Sequence, residues 1–319
     1  MQVSGQKIVV LGTGGTIAGT SAQAGDNIGY TAAQVGVEQL LTAVPGLQAL
    51  AGGALVAEQV AQIDSKDMDG EVWRTLALRC AHHLNDSEVR GVVITHGTDT
   101  LEETAWFLHE VLDAAKPVVL TCAMRPATAL TPDGPQNLLD AVATVLAPGA
   151  TGVLAVAAGE VHGARHVQKV HPYRVNAFSS GDAGPLGWVE ECVVRWACNS
   201  PVVPVNKADG AMNNIVSAAT WPWVEIVMNH AGASGRAVDA LVREGVQGLV
   251  VACTGNGTIH HDLEAALVRA QNAGVRVVRS TRCAEGQVLP KPGDVLPASQ
   301  GLSPVKARVA LMLDLLRMH

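Results

Sequence analysis

The chain is 319 residues long, which is enough for two domains or for one large domain. Its residues are 48% hydrophobic and 16% charged, so it can bury a substantial core, and no run of roughly 18 apolar residues predicts a membrane span. The formal net charge of −7, without any basic stripe, argues against nucleic acid as a partner.

From residue 7 to residue 157, strand-like and helix-like segments alternate. The predicted strands in this part are residues 7–11, 54–63, 90–95, 117–122 and 152–157. The predicted helices are residues 35–44, 69–84, 99–113 and 134–146. This alternation predicts an α/β fold, in which helices on both faces cover a mostly parallel sheet.

After residue 159 the alternation breaks, and residues 160–200 have the pattern of short antiparallel strands and turns. Residues 199–220 lack periodicity and contain two prolines, so they are the predicted linker. Alternation resumes with predicted strands at 223–228, 249–252 and 275–279 and predicted helices at 238–244, 263–273 and 304–318. The sequence therefore predicts a larger N-terminal α/β domain over residues 1–198 and a smaller C-terminal domain with a parallel sheet over residues 221–319.

The cysteines indicate a reducing compartment. None belongs to a Cys-x-x-Cys pair, and several lie in apolar runs, where a free cysteine behaves as a small buried hydrophobe. We expect all six to be reduced core thiols of a cytoplasmic protein. They are Cys80, Cys122, Cys192, Cys198, Cys253 and Cys283. Nothing between Met1 and the first strand has the pattern of a signal peptide.

Two short stretches each follow an apolar strand and are rich in threonine and glycine. They are residues 12–19, Gly-Thr-Gly-Gly-Thr-Ile-Ala-Gly, and residues 96–104, His-Gly-Thr-Asp-Thr-Leu-Glu-Glu-Thr. Because ligands bind at the carboxyl edge of an open α/β sheet, both stretches deliver hydroxyl groups to that edge. Together they indicate nucleophilic chemistry by a threonine. Thr98 or Asp99 can also cap the next helix, and His96 is expected to be structural.

Nucleotide and metal sites are the weaker interpretations. The first stretch resembles a loose dinucleotide fingerprint, but residues 19–29 have the composition of a long loop, where a fingerprint needs a helix. Asp64, at the end of the second strand, lies far beyond the roughly 20-residue spacing of that fingerprint. His162, His166 and His171 have no acidic pair or cysteine nearby to complete a metal site. We expect neither a cofactor nor a metal.

Two rarer residues can complete a reactive set. For Thr16 alone, a strand-end cap is the better explanation. Tyr30, one of only two tyrosines, ends the predicted loop and shifts the balance towards a reactive role. A phenol that reaches a threonine hydroxyl can polarise it or relay its proton. Lys169 is one of seven lysines and is equally well explained as a solvated loop residue. If it reaches Thr98 and Asp99, its amine can take a hydroxyl proton when burial favours the neutral form.

Taken together, these stretches resemble the two signature segments of the bacterial-type L-asparaginases, the asparaginase/glutaminase family. The resemblance extends over nearly the whole chain through shorter motifs. They are residues 30–31, 35–38, 65–68, 123–126, 133–135, 184–187, 255–257 and 303–308. Two long motifs in the right order, with these additional ones, are far more specific than either glycine cluster alone.

The resemblance implies cofactor-free hydrolysis of the side-chain amide of L-asparagine to L-aspartate and ammonia, with weaker action on L-glutamine. It implies that Thr16 is the nucleophile and that Tyr30 is its partner on a lid. Thr98, Asp99 and Lys169 match a second set that handles proton transfer and the attacking water. The resemblance also implies a homotetramer of intimate dimers, in which the C-terminal domain of one subunit completes its neighbour's site.

The implied substrate-binding positions include one departure from the family pattern. Ser65 matches a contact to the substrate carboxylate, Asp99 would face the amino group, and Ala123 occupies a further position of this set. Lys66 stands where relatives usually have Gln or Glu. A cation there should repel the substrate ammonium, or it can grip a carboxylate instead.

Two further departures leave affinity and the choice between asparagine and glutamine open. Asp294 is the nearest candidate for the acid that a neighbouring subunit supplies, and Thr258 stands where relatives have Asn or Ser. A non-catalytic amino-acid-binding regulatory protein on the same fold is the alternative function. A transfer-RNA amidotransferase subunit is a further option, but no appended domain or basic patch supports it.

Overall fold

The computed structural model describes residues 6–23, 25–197 and 210–318. Contacts divide the chain into two compact units, residues 1–207 and residues 208–319. This division falls inside the predicted linker, of which residues 199–209 lie outside the described residues. Of the helices that are described, none combines the length and the apolar character needed to cross a membrane.

The first unit consists of strands and helices in the predicted alternation. Its strands are β1 (Lys7–Gly14), β2 (Leu55–Ile63), β3 (Val89–Thr95), β4 (Val118–Thr121), β5 (Val153–Ala157), β6 (Glu160–Gly163), β7 (Gln168–Lys169), β8 (Phe178–Ser179), β9 (Gly187–Glu190) and β10 (Val193–Trp196). Its α-helices are α1 (Val37–Thr42), α2 (Leu47–Ala51), α3 (Gly70–Leu84), α4 (Leu101–Val111) and α5 (Gly134–Leu146). Single 3-10 turns lie at Thr16–Ala18, Ser65–Asp67 and Gly181–Ala183.

The longer amphipathic helices agree best with their predictions. Helix α5 has the predicted bounds, and α3 begins one residue later than predicted. Helix α1 is shorter than the predicted 35–44, and α2 was not predicted at all. The five residues of α2 make little more than one turn between Gly46 and Gly52, so they contain no periodicity to detect.

The main sheet reverses its strand order at β1. Its eight strands lie in the order β10-β9-β6-β5-β4-β3-β1-β2. Strands β2, β1, β3, β4 and β5 are parallel, and β6, β9 and β10 pair in antiparallel fashion. The chain goes from β1 to β2 on one side and then to β3 on the other, and such a reversal opens a crevice at the carboxyl ends of the strands. The two threonine-rich stretches follow β1 and β3 at this point.

The core explains why the central strands are continuous apolar runs in the sequence. In β3 every residue except Arg90 is buried, and in β1 every residue after Lys7 is buried. Strands that are covered on both faces have no solvent-facing positions to fill with polar residues. The predicted mostly parallel sheet with helices on both sides is confirmed.

The cysteines only partly match their predicted burial. Cys80, Cys122 and Cys253 are buried free thiols. The prediction is wrong for Cys283, which is exposed in the segment after the last strand of the second unit, and for Cys192, which is half-buried in the β9–β10 turn. Cys198 lies outside the described residues.

The second unit is a smaller parallel α/β domain, as predicted. Its strands are β11 (Val224–Met228), β12 (Gly248–Cys253) and β13 (Arg276–Thr281), which form a parallel sheet in that order. Its helices are α6 (Ala211–Ser217), α7 (Arg236–Arg243), α8 (His261–Asn272) and α9 (Pro304–Leu316). Helix α6 lies within residues 199–220, where the sequence predicted only a linker. The buried side chains of β12 and α8 form much of this unit's own core.

Candidate active site

The two threonine-rich stretches touch each other, backbone against backbone. Gly15, with φ 79° and ψ −172°, leads from β1 into the turn that begins at Thr16. A Cβ atom added to Gly15 would lie 2.3 Å from Cα of Gly97. The Thr13 hydroxyl also donates to the carbonyl of Thr95 at 2.9 Å. These contacts bring the turns after β1 and β3 together at the switch point of the sheet.

A tyrosine from the loop after this turn reaches the Thr16 hydroxyl. Oγ1 of Thr16 and the hydroxyl oxygen of Tyr30 lie 2.7 Å apart, and Thr16 is 6% exposed. Thr20 and Thr31, on either side of this loop, are joined by two backbone hydrogen bonds, each 2.9 Å long. A single 3-10 turn and then a loop follow the glycines, so the α-helix that a dinucleotide fingerprint needs is not formed there.

Lys169 reaches both Thr98 and Asp99 across 70 residues of sequence. Its Nζ lies 2.8 Å from Oγ1 of Thr98 and 2.5 Å from Oδ1 of Asp99. The Lys169 side chain is only 16% exposed, whereas the Asp99 side chain is 53% exposed. The Lys169 nitrogen thus links a buried hydroxyl to a carboxylate that still faces solvent.

The predicted cap of helix α4 is wrong. The helix begins at Leu101 with Thr100 as its N-cap, and no side chain caps it by a hydrogen bond. The side chains of Thr98 and Asp99, two residues and one residue ahead of the cap position, are engaged by Lys169 instead.

Ser65 is fixed against the start of α4 in a way that leaves its proton available. Its side chain is on the turn after β2, the residue is 3% exposed, and its Oγ accepts a hydrogen bond from the backbone N–H of Asp99 at 3.2 Å. The Thr100 hydroxyl donates to the Ser65 carbonyl at 2.8 Å. Since a hydroxyl carries one donor and accepts separately, Ser65 can still donate to an acceptor in the crevice.

Lys66 is exposed and paired with its own neighbours. Its Nζ lies 2.8 Å from a carboxylate oxygen of Asp64 and 3.2 Å from one of Asp67, and its side chain is 61% exposed. The hydrogen bond to Asp64, followed by that to Asp67, raises the pKa of the Lys66 ammonium above its usual range. Two carboxylates therefore compensate the charge that the sequence predicts will repel a substrate ammonium.

The loop that carries Ala123 is held by Asp133 and Asn137, to which the sequence analysis gave no role. Ala123 is fully buried at the end of β4. The two carboxylate oxygens of Asp133 accept from the backbone N–H groups of Met124 and Arg125, at 2.9 Å each, and Asn137 donates to the same carboxylate at 3.3 Å. The sequence pattern that could have predicted these contacts is an acidic residue, Asp133, directly before α5, with the amide of Asn137 one turn later.

His96 is locked inside the strand end, in keeping with a structural role. It is 0% exposed, and its Nδ1 lies 2.7 Å from the carbonyl oxygen of Gly97. Burial lowers the pKa of this imidazole to about 4, so the ring is neutral at physiological pH.

Asp294 is engaged within its own unit. Its carboxylate lies 2.6 Å from the Arg279 guanidinium, and both side chains are largely buried, at 13% and 7% exposed. It also accepts from the backbone N–H of Lys291 at 2.9 Å. The hydrogen bond to Arg279 lowers the pKa of Asp294. In this arrangement Asp294 stabilises a loop of its own unit. Thr258 is likewise engaged locally, with its hydroxyl 2.9 Å from that of Thr254.

Comparison with known proteins connects both units to one family. Residues 7–201 match the family model described as Asparaginase, N-terminal, and residues 223–318 match the Glutaminase/Asparaginase C-terminal domain. The chain is 39% identical over 317 residues to L-asparaginase 2 of Escherichia coli K12, covering 97% of this chain and 88% of the relative. It is 38% identical to the glutaminase-asparaginase of Pseudomonas fluorescens biotype A, covering 97% and 86%. The crystal structure of a probable cytoplasmic L-asparaginase from Campylobacter jejuni superposes with a TM-score of 0.90 at 39% identity, covering 97% of this chain and 95% of that one.

Proposed function

The chain belongs to the asparaginase/glutaminase family of enzymes, and we propose that it hydrolyses the side-chain amide of L-asparagine, and more weakly that of L-glutamine, through a threonine nucleophile. The contact that carries this proposal is the 2.7 Å approach of the Tyr30 and Thr16 hydroxyls at the switch point of the sheet. A hydroxyl is a weak nucleophile unless a neighbouring group takes its proton, and this contact supplies such a neighbour.

In the first half of the reaction, Oγ1 of Thr16 attacks the carbonyl carbon of the amide. A C–O bond forms while the hydroxyl proton passes to the Tyr30 oxygen and Tyr30 gives its own hydroxyl proton to the amide nitrogen. The C–N bond then breaks and ammonia leaves. The product is an ester between Thr16 and the β-carboxyl group of aspartate. The low exposure of Thr16 keeps bulk water away while this bond forms.

In the second half, water replaces the threonine. The Lys169 amine takes a proton from the Thr98 hydroxyl at 2.8 Å, and Thr98 in turn takes one from the attacking water. The resulting hydroxide attacks the ester carbon and the bond to Thr16 breaks. The Thr16 oxygen takes the proton of the new carboxyl group through the Tyr30 hydroxyl, aspartate leaves, and Lys169 releases its proton to solvent. Asp99 holds the lysine in place at 2.5 Å.

The substrate's free amino-acid end is recognised by opposite charges. The Ser65 proton donates to the α-carboxylate, and the solvent-facing part of Asp99 attracts the α-ammonium. Lys66 borders the same set through its position next to Ser65, and Ala123 forms part of the buried wall behind it. Asparagine and glutamine differ by one methylene, which a fitted pocket distinguishes by about 1–3 kcal/mol.

Ammonia release from L-asparagine and L-glutamine tests this function. Thr16→Ala, Thr98→Ala and Lys169→Met should each lose most of the turnover, whereas Thr42→Ala, on the exposed side of α1, and Lys116→Met should keep it. Undiminished turnover in Thr16→Ala would rule out the nucleophile. Tight binding of aspartate by calorimetry, without turnover in the unaltered protein, would favour the binding-protein alternative.

The assembly and the compartment are part of the same proposal. A homotetramer of intimate dimers is supported by the family resemblance and by Val170 and Tyr173, which are 52% and 57% exposed directly after Lys169 and suit burial by another subunit. A cytoplasmic location is supported by five described cysteines that are free thiols. Light scattering after size exclusion tests the tetramer, and cell fractionation tests the compartment.

A further inference from the structure

The strand that carries Lys169 has little support from its own sheet. Strand β7 is two residues long and pairs only with the equally short β8. Two further backbone hydrogen bonds extend this pair, from the N–H groups of Val170 at 2.8 Å and His171 at 3.3 Å to the carbonyl of Ala177. A lysine side chain has four rotatable bonds, so the position of its Nζ depends on where such a short strand is held.

A carboxylate on α4 holds this strand by its backbone. The N–H of Lys169 donates to Oε1 of Glu102 at 3.1 Å. Glu102 lies in the first turn of α4, three residues after Asp99, on a helix whose inner residues are buried. The segment from Thr98 to Glu102 therefore contacts Lys169 in two places, at its Nζ atom and at its backbone N–H.

We infer that Glu102 is a positioning residue for Lys169, an assignment that rests on the proposed function of the Thr98–Lys169–Asp99 set. Its carboxylate binds the backbone of β7 to the start of α4, next to Thr98 and Asp99, which contact the Lys169 side chain. A hydrogen bond to an ionised acceptor is stronger than one between neutral groups, so it suits this task. Glu102 itself contacts no substrate in this mechanism.

The distance between Nζ of Lys169 and Oγ1 of Thr98 is what this contact controls. A displacement of about 1 Å in a reacting group can cost on the order of 100-fold in rate. Loss of the contact should therefore lower kcat on the order of 10–100-fold while KM changes little, because Ser65 keeps its own hydrogen bonds.

Glu102→Gln, Glu102→Asp and Glu102→Ala distinguish the effect of side-chain length from the effect of charge. Glu102→Gln keeps an oxygen at the same reach and should restore most of kcat. Glu102→Asp keeps the negative charge at the helix N-terminus but is one methylene too short, so it should resemble Glu102→Ala. Glu264→Ala removes an exposed first-turn glutamate from α8 and serves as the matched control.

The readouts are kcat, KM and the pH dependence of kcat on L-asparagine. The pH dependence of kcat should differ from that of the wild type in Glu102→Asp and match it in Glu102→Gln. Wild-type kcat and pH profile in Glu102→Asp, with Lys169→Met inactive, would overturn the positioning role alone. Full activity of Lys169→Met would instead refute the proposed Thr98–Lys169–Asp99 chemistry. Loss of kcat in Glu102→Gln together with wild-type kcat in Glu102→Asp would show that charge, not reach, is what matters, and would also overturn the inference.

Discussion

Replacement of Gly15 by alanine should separate the two turns that form the candidate active site. The added Cβ would lie 2.3 Å from Cα of Gly97 and 2.4 Å from its backbone nitrogen. Both are backbone atoms, so the overlap cannot be relieved by a side-chain rotation. Gly97 in turn has no room to retreat, because a Cβ on it would lie 2.4 Å from the Ser65 hydroxyl.

The expected cost has two parts. The backbone of Gly15, at φ 79° and ψ −172°, lies in a region that is essentially restricted to glycine, and a side chain there costs about 1–3 kcal/mol. The overlap with Gly97 adds the cost of overpacking, about 1–3 kcal/mol. Gly15→Ala should therefore destabilise the protein by roughly 2–6 kcal/mol.

Gly184 provides a control for the backbone part. Its φ of 65° and ψ of 172° are close to those of Gly15, but a Cβ there would meet nothing within 4 Å. Gly184→Ala should carry the strain without the overlap. The difference between the two variants isolates the contact between the turns.

Thermal unfolding and steady-state kinetics measure the two consequences. Gly15→Ala should unfold at a lower temperature than Gly184→Ala and should lose most of its kcat, because Thr16 and Thr98 follow the residues that are pushed apart. Gly184→Ala should keep wild-type kcat. Equal unfolding temperatures for the two variants, together with wild-type kcat in Gly15→Ala, would refute the packing argument.

Two further predictions concern buried ionisable groups. The lowered pKa of His96 means that its contribution to stability is full above about pH 6.5 and is lost as the pH falls towards 4, a change of about 3 kcal/mol. The stability difference between wild type and His96→Asn should shrink over that range, and an imidazole NMR signal of His96 titrating near 6.5 would contradict this. Asp294→Asn should lower the unfolding temperature more than Asp239→Asn, since Asp294 pairs with a buried Arg279 and Asp239 with an exposed Arg269. Because the pKa of Asp294 is lowered, its ionised carboxylate stabilises the folded protein at pH values above the usual carboxyl pKa, and this contribution is lost on acidification. Equal unfolding temperatures for Asp294→Asn and Asp239→Asn would count against a stabilising buried pair.

Local pattern in the sequence determined the fold class and the place of the site. Strands covered on both faces must be apolar throughout, so β1, β3, β4 and β5 were visible as continuous runs. Long helices such as α3 and α5 carry enough turns to show their period. Parallel strands end at one edge, so the threonine-rich stretches could be placed together before any contact was known.

Tertiary structure alone decided which side chains meet. The approach of Tyr30 to Thr16 depends on the path of the loop between them. The approach of Lys169 to Thr98 depends on the course of short irregular strands. Neither path leaves a periodic trace in the sequence. For the same reason the cap predicted at Thr98 or Asp99 was wrong, because a lysine from 70 residues away engages both side chains. Local spacing specifies helices and strands, whereas the pairing of functional groups across loops is settled only when the chain is folded.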